Sequence, residues 1–244
     1  MFVNKNLWRK YFQTFIVLLA MIISLLPISI LETRVKAKTD DYTPDKVLTN
    51  AMVENMAGCE AEIKGNEIII RPKNGASEGV ISDYSKEDDF KALQNIFKKD
   101  ETENKTLRFE GNIYGYGSLK ELFEESKISS LGNIGKFNVS NVTSMNTMFS
   151  HANITSIEAL KNWNVSNVTD MMDMFSHANI TSIEALKDWN VSNVTGMERM
   201  FSGCENITSL EGLKNWNVSN VTDMRDMFRA VSYTHLTLPT KRIV

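Results

Sequence analysis

The chain has 244 residues, 42% hydrophobic and 23% charged, which is enough for one or two domains with a buried core. Its formal net charge is −3, with an acidic body behind a basic N-terminus, and this argues against a nucleic-acid-binding protein, which needs a basic surface. Three histidines and two cysteines leave little material for a metal site or a disulfide framework.

The N-terminal residues have the pattern of an export signal. Lys5, Arg9 and Lys10 precede a long uncharged apolar run, and the small residues that end at Ala37 suit cleavage by a signal peptidase. We therefore predict a signal peptide over residues 1–37, which places the acidic body outside the cytoplasm. The alternative is an uncleaved anchor, because about 20 apolar residues can span a bilayer.

Residues 38–110 show no internal repeat and predict a small α+β head. Apolar residues at helical spacing predict helices over 45–57 and 86–99. Alternating residues around a Gly-Asn turn predict a hairpin over 61–71, and a second alternating segment predicts an edge strand over 106–110. No pattern of catalytic residues is evident in this head.

Residues 111–230 are dominated by a repeated phrase, WNVSNVTDMMDMF in one copy. Copies spaced by 26, 26 and 27 residues begin at Phe137, Trp163, Trp189 and Trp216, after a degenerate cap unit over 111–136. Within a unit the apolar spacing predicts a short helix and then a strand, near 181–183 in one copy. The sequence therefore predicts an α/β solenoid of leucine-rich-repeat-like, 26-residue units.

The recurring W-N-V-S-N-V-T phrase resembles the BspA-type leucine-rich-repeat surface proteins of bacteria, over about residues 111–230. The resemblance implies a solenoid displayed at the cell surface, adhesion to host proteins or cells, and no catalytic residues. This chain has fewer repeats than the longer members of that family and shows no cell-wall anchoring signal. Its last 14 residues, 231–244, do not continue the repeat and resemble translated vector sequence; a short native cap is the alternative.

Several side chains in the repeats invite a metal interpretation. His151 and His177 occupy the same place in successive units, so stacking could bring them together, but the next unit has Gly203 there. Acidic residues recur beside the methionines, at Asp170, Asp173, Asp223 and Asp226. Two units have other residues at these positions, and no calcium-binding loop is formed, so we interpret these aspartates as solvated side chains. Cys59 and Cys204 are far apart in sequence and are predicted to be unpaired.

We expect an exported, non-enzymatic bacterial surface protein that binds a protein or another cell-surface macromolecule. It needs no cofactor or nucleic acid, and it meets the membrane only through its N-terminal signal or anchor. The candidate binding residues are the exposed polar positions of three predicted strands: Thr155, Ser156, Glu158, Thr181, Ser182, Glu184, Thr208, Ser209 and Glu211. One alternative is a passive spacer or display stalk for a domain beyond residue 230. Another is an exported enzyme, which would need an acid or nucleophile pair that residues 38–110 do not display.

Overall fold

A computed structural model describes residues 45–84 and 86–232 of the chain. The predicted export signal over 1–37 lies outside these residues, as does all but the first two residues of the tail predicted over 231–244. Strands β1 (Cys59–Lys64) and β2 (Glu67–Pro72) pair antiparallel around the Gly-Asn turn, which confirms the predicted hairpin. Strand β4 (Thr106–Phe109) pairs parallel with β2, so it lies at an edge of this three-stranded sheet, as predicted.

Both α-helices of the described residues lie in the head. Helix α1 is Asn50–Asn55, and helix α2 is Glu87–Phe97, which buries Phe90, Leu93 and Phe97 against the sheets. The predicted first helix, 45–57, is too long, because its first residues instead contact the repeats. The backbone N–H of Leu48, for example, donates to Asn141 Oδ1 at 2.9 Å.

A second sheet joins the head to the first repeat units. Strand β3 (Glu78–Ile81) pairs parallel with β5 (Asn112–Ser118), and β5 pairs parallel with β6 (Phe137–Ser144). Strand β3 has no turn or alternation signal of its own, and it was not predicted. The predicted division between head and repeats at residue 110 stays a prediction.

The predicted α/β solenoid of leucine-rich-repeat type is wrong. The described chain folds as two three-stranded sheets with two helices, and residues 145–232 contain neither an α-helix nor a strand. Successive units beyond β6 meet at single parallel bridges, Ser144 with Asp170, Asp170 with Gly196, and Gly196 with Asp223. The strand predicted near 181–183 is irregular backbone followed by a short 3-10 turn at Glu184–Leu186.

The reason for this difference lies in how alternate backbone N–H groups are used. Met145, Thr147, Phe149 and His151 donate to carbonyl groups of the following unit. Between them, Met148 and Ser150 donate to carbonyl groups three positions back, and Asn146 donates to the Ser144 hydroxyl. The same four bonds, 2.7–3.1 Å long, join each unit to the next. A helix needs every N–H for bonds within its own segment, so this pattern excludes one.

Left-handed backbone makes this hydrogen-bond pattern possible. Two residues of every unit have φ between 50° and 75°, and they form two columns: Glu121, Thr147, Asp173, Arg199 and Asp226, and Glu125, His151, His177, Gly203 and Ala230. Only one of these ten is glycine, and each non-glycine residue in this region costs about 1–2 kcal/mol. Such strain persists only where the surrounding contacts over-determine it, so the stacked neighbours must hold these turns.

The core runs without interruption from the head through the repeats. Its centre is a column of phenylalanine rings, in which consecutive centroids lie 4.7–5.8 Å apart: Phe97, Phe123, Phe149, Phe175, Phe201 and Phe228. Trp163 and Trp189 also stack, at 6.5 Å, and each indole N–H donates to a backbone carbonyl 29 residues earlier in the chain. Buried methionines fill the space between the ring columns.

Candidate functional site

A polar surface groove of about 640 Å³ crosses five successive units. In the three middle units the lining residues lie at or between the two left-handed positions, so this part of the groove wall repeats from row to row. The lining side chains are Glu124, Glu125, Thr147, Ser150, His151, Asp173, Ser176, His177, Arg199, Ser202, Arg229 and Ala230. Rows about 4.8 Å apart give the groove a length of about 19 Å.

Two stacked imidazoles form the middle of this groove. The rings of His151 and His177 lie 4.8 Å apart and are parallel within 9°, so the predicted proximity of the two residues is confirmed. Gly203 supplies the space beneath them, because a Cβ atom at this position would lie 2.3 Å from His177 Nδ1. Ring nitrogen lone pairs lie in the ring planes, and parallel rings therefore do not aim them at one shared ion.

A row of buried serines lines the groove beside the imidazoles. Ser150, Ser176 and Ser202 are only 4–5% exposed, and their hydroxyl groups form no hydrogen bond with any described residue. Buried hydroxyls normally have a partner, so three in one column that lack one are unusual. The groove therefore presents a periodic line of unused donors and acceptors.

Charge is unevenly distributed along the groove. At one end Lys98 pairs with Glu124 at 2.8 Å, and in the fourth of the five rows Arg199 makes two 3.0 Å hydrogen bonds to Asp173. Hydrogen bonding to Asp173 raises the pKa of the Arg199 guanidinium. Arg229 forms no ion pair within the described part of the chain, so the Arg229 end of the groove carries the less compensated positive charge.

The nine predicted binding residues lie outside this groove. In each unit the serine hydroxyl accepts a hydrogen bond, 3.2–3.4 Å long, from the backbone N–H of the glutamate two residues later. The glutamate side chain forms an ion pair with the lysine three residues after it. Thr155, Thr181 and Thr208 are exposed, as are the serines and glutamates of the first two units; Ser209 and Glu211 are half-buried. The polar triplets thus cap short 3-10 turns, and their role in binding stays a prediction.

Three of the four acids singled out from the sequence, Asp170, Asp173 and Asp223, accept hydrogen bonds from side chains of the described residues, whereas the two thiols form no disulfide. Asp170 accepts hydrogen bonds from Ser144 and Asn146, and hydrogen bonding to Arg225 lowers the pKa of Asp223 to about 2. Cys59 and Cys204 are both free and buried, as expected, and desolvation raises the pKa of each thiol to about 12. Within the described residues, no cluster of three or more His, Cys, Asp or Glu side chains could hold a metal ion.

Sequence reasoning found the histidines of the groove but not the serines. The signal was present, because a serine directly follows the stacked phenylalanine in three successive units, at Phe149, Phe175 and Phe201. The inward position of these serines depends on the left-handed residue that comes after each of them, which periodicity alone does not reveal.

Comparison with known proteins places the chain in a family. The family described as "Mycoplasma protein of unknown function, DUF285" matches residues 117–238, from the end of β5 through the last repeat and into the tail that follows residue 230. Neither the curated proteins nor the solved structures include a match to the chain. Within residues 45–84 and 86–232, no helix is long and apolar enough to cross a membrane. Because the family match covers half of the sequence, the chain belongs to the DUF285 family of Mycoplasma proteins of unknown function.

Proposed function

We propose that this chain is an exported bacterial cell-surface protein that binds a macromolecular partner along the polar groove. The observation that carries this proposal is the column of Ser150, Ser176 and Ser202, whose buried hydroxyl groups have no partner among the described residues. A ligand that fills the groove would form hydrogen bonds with these hydroxyl groups, which can both donate and accept.

The shape of the groove favours a long partner over a small metabolite. A serine recurs in each of its three middle rows, and the groove is about 19 Å long, so binding energy would accumulate from several similar contacts. Serine hydroxyls, imidazole nitrogens and the Arg229 guanidinium are mainly hydrogen-bond donors or mixed donor–acceptor groups. They suit a surface rich in hydroxyl or carbonyl oxygens, such as a host protein loop or a cell-surface chain.

Export is the second element of the proposal, and it rests on residues 1–37 of the sequence. The resemblance to BspA-type surface proteins supports an adhesive role, and a binding protein needs no catalytic residue or cofactor. A passive spacer or display stalk is the alternative function. The near-identical repeats favour this stalk function, because duplication lengthens a stalk without requiring any one surface to bind a partner.

A binding experiment on the full chain separates these functions. We would measure binding to immobilised host matrix proteins and cell-surface extracts for the native chain and for the double variant His151→Ala/His177→Ala. Both imidazoles are exposed, so their removal should leave the fold intact and weaken binding about 10-fold, which corresponds to about 1.4 kcal/mol.

The matched control is Thr181→Ala/Glu184→Ala, which changes the predicted triplet surface in the same repeats. It should bind within about 2-fold of the native chain. Weaker binding in this variant alone would show that the partner binds at the triplets and not in the groove. Absence of binding by the native chain to every surface would instead favour the stalk.

A further inference from the structure

A column of asparagines outside the groove has the same geometry in four repeat phrases. The first asparagine of each phrase accepts, through Oδ1, the backbone N–H of the serine two residues later, at 2.9–3.2 Å; the residues are Asn138, Asn164, Asn190 and Asn217. This turn fixes the amide orientation, so each Nδ2 takes the same direction relative to its own turn. None of the four lines the groove, so binding at this column is independent of the proposed function.

The chain itself fills the first two positions of this column with a carboxylate. Asn138 Nδ2 donates to Asp45 Oδ1 at 3.0 Å, and Asn164 Nδ2 donates to Asp45 Oδ2, also at 3.0 Å. One aspartate therefore bridges two successive units, with one oxygen on each amide. Three residues later, the Leu48 N–H donates to Asn141 Oδ1.

The last two positions of the column repeat this arrangement without an occupant among the described residues. Asn190 and Asn217 are exposed, and no described residue accepts from their Nδ2 atoms. One backbone hydrogen bond recurs beside both pairs, although Asn138 lies in β6 and is only 5% exposed. Thr222 N donates to Thr195 O at 2.8 Å, as Thr169 N donates to Thr143 O at 2.8 Å.

Two further features beside the second pair suit a polypeptide. Asn193 stands where Asn141 stands in the first pair, and its Oδ1 accepts from no residue in the described ranges, so it is available to a backbone N–H. Val218 is 39% exposed, whereas Val139, Val165 and Val191 at the same position are 1–2% exposed. An apolar side chain next to the carboxylate would bury this valine.

We propose that Asn190 and Asn217 form a second carboxylate site, which binds an aspartate side chain of an extended polypeptide from a partner protein. The carboxylate bridges the two amides as Asp45 bridges the first pair. A backbone N–H three residues later donates to Asn193, as the Leu48 N–H donates to Asn141. Charged acceptors strengthen such hydrogen bonds relative to neutral ones.

The test uses the full chain labelled with ¹⁵N on asparagine and the peptide acetyl-Asp-Lys-Val-Leu-amide, which copies residues 45–48. We expect saturable shifts of the Asn190 and Asn217 side-chain amide resonances. The peptide acetyl-Asn-Lys-Val-Leu-amide should give none. No saturable shift with the aspartyl peptide would overturn the proposal.

Two isosteric variants locate the site. Asn190→Asp and Asn217→Asp keep the oxygen that accepts a hydrogen bond from the serine N–H, but they remove the Nδ2 donor. Each variant should therefore weaken binding of the aspartyl peptide at least 10-fold. Asn206→Asp adds the same charge at an exposed asparagine outside the column and should leave binding unchanged. An equal loss of peptide affinity in Asn206→Asp would show that binding depends only on the net charge of the protein, and it would overturn the proposed site.

Two further measurements test the mechanism and the class of partner. Asp45→Ala removes the carboxylate from the first pair, while Lys46 O and Leu48 N keep their hydrogen bonds to Asn141. The side-chain amide resonances of Asn138 and Asn164 should therefore shift in this variant, and unchanged resonances would contradict the carboxylate bridge. Polygalacturonate offers carboxylates without a polypeptide backbone; if it shifts Asn190 and Asn217 in preference to the peptide, the partner class is wrong.

Discussion

The repeat that begins at Trp189 and the repeat that begins at Trp216 share nearly the same phrase, yet they lie in different environments. Trp189 is 4% exposed and stacks on Trp163, whereas Trp216 is only half-buried. Val191 is buried, while Val218 is among the most exposed large apolar side chains. The inner repeat has a described neighbour on both sides, and the outer repeat has a described neighbour on one.

This difference shows that the burial of a residue here is a property of the stack. The repeat phrase supplies the same side chains each time, but the next unit supplies half of the wall around them. Equivalent substitutions should therefore have unequal effects, decreasing toward the outer repeat.

The largest expected difference concerns the phenylalanine column. Phe175 is fully buried between Phe149 and Phe201, so Phe175→Ala should reduce the free energy of unfolding by about 3–5 kcal/mol. Phe228 stacks on Phe201 and is half-buried, so Phe228→Ala should reduce the free energy of unfolding by only about 1–2 kcal/mol. Urea unfolding followed by circular dichroism measures both values. Equal losses would show that the two environments do not differ in energy.

A smaller effect is expected in the column of left-handed residues, where the inner repeat has Gly203 and the outer has Ala230. Gly203→Ala should destabilise the chain by about 1–2 kcal/mol from backbone strain alone, and more because its Cβ would meet the His177 ring.

A double-mutant cycle separates these two contributions. In the background of His177→Ala the cost of Gly203→Ala should fall to the backbone contribution, and Ala230→Gly should stabilise the outer repeat by up to about 1 kcal/mol. An unchanged cost in the His177→Ala background would show that the imidazole does not restrict this position.

The smallest effect concerns pH and the outer repeat. The Arg225 side chain holds the pKa of Asp223 at about 2, below its ordinary value of 3.8. Because the pKa is lower in the folded state, this pair stabilises the fold above about pH 4, and that contribution disappears as pH falls toward 2.

The variant Asp223→Asn tests this pH dependence. Its melting temperature should lie below that of the native chain at pH 5, and the gap should narrow by pH 2. Glu205→Gln, at an exposed acid without an ion pair among the described residues, should show no such narrowing. A gap that stays constant with pH would rule out titration of Asp223 as its cause.

The head was the more predictable region, because its signals are local. The Gly-Asn turn and the alternating residues around it identified the hairpin of β1 and β2, and helical spacing identified α2. Strand β3 was not predicted, because its position depends on pairing with β5, which lies more than 30 residues further along the chain. The first helix was overextended, since residues 45–48 are held by asparagines of distant repeats.

In the repeats, periodicity identified which residues are buried but not their backbone conformation. The spacing of Val168, Met171 and Phe175 is helical, and all three side chains are buried. Left-handed residues between them, such as Asp173, replace the helix with turns bonded to the next unit. Non-glycine residues in this conformation carry no strong sequence signal, so the helix and the solenoid class were wrong for one shared reason.

The sequence by itself determined the repeat length, the buried apolar positions, the free cysteines and the proximity of the two histidines, because each can be deduced from spacing or composition. Tertiary structure alone decided the left-handed turns, the row of inward-facing serines and the bridge from Asp45 to two asparagines. These features depend on which backbone groups of one unit reach the next unit, and that is fixed only when the units are stacked.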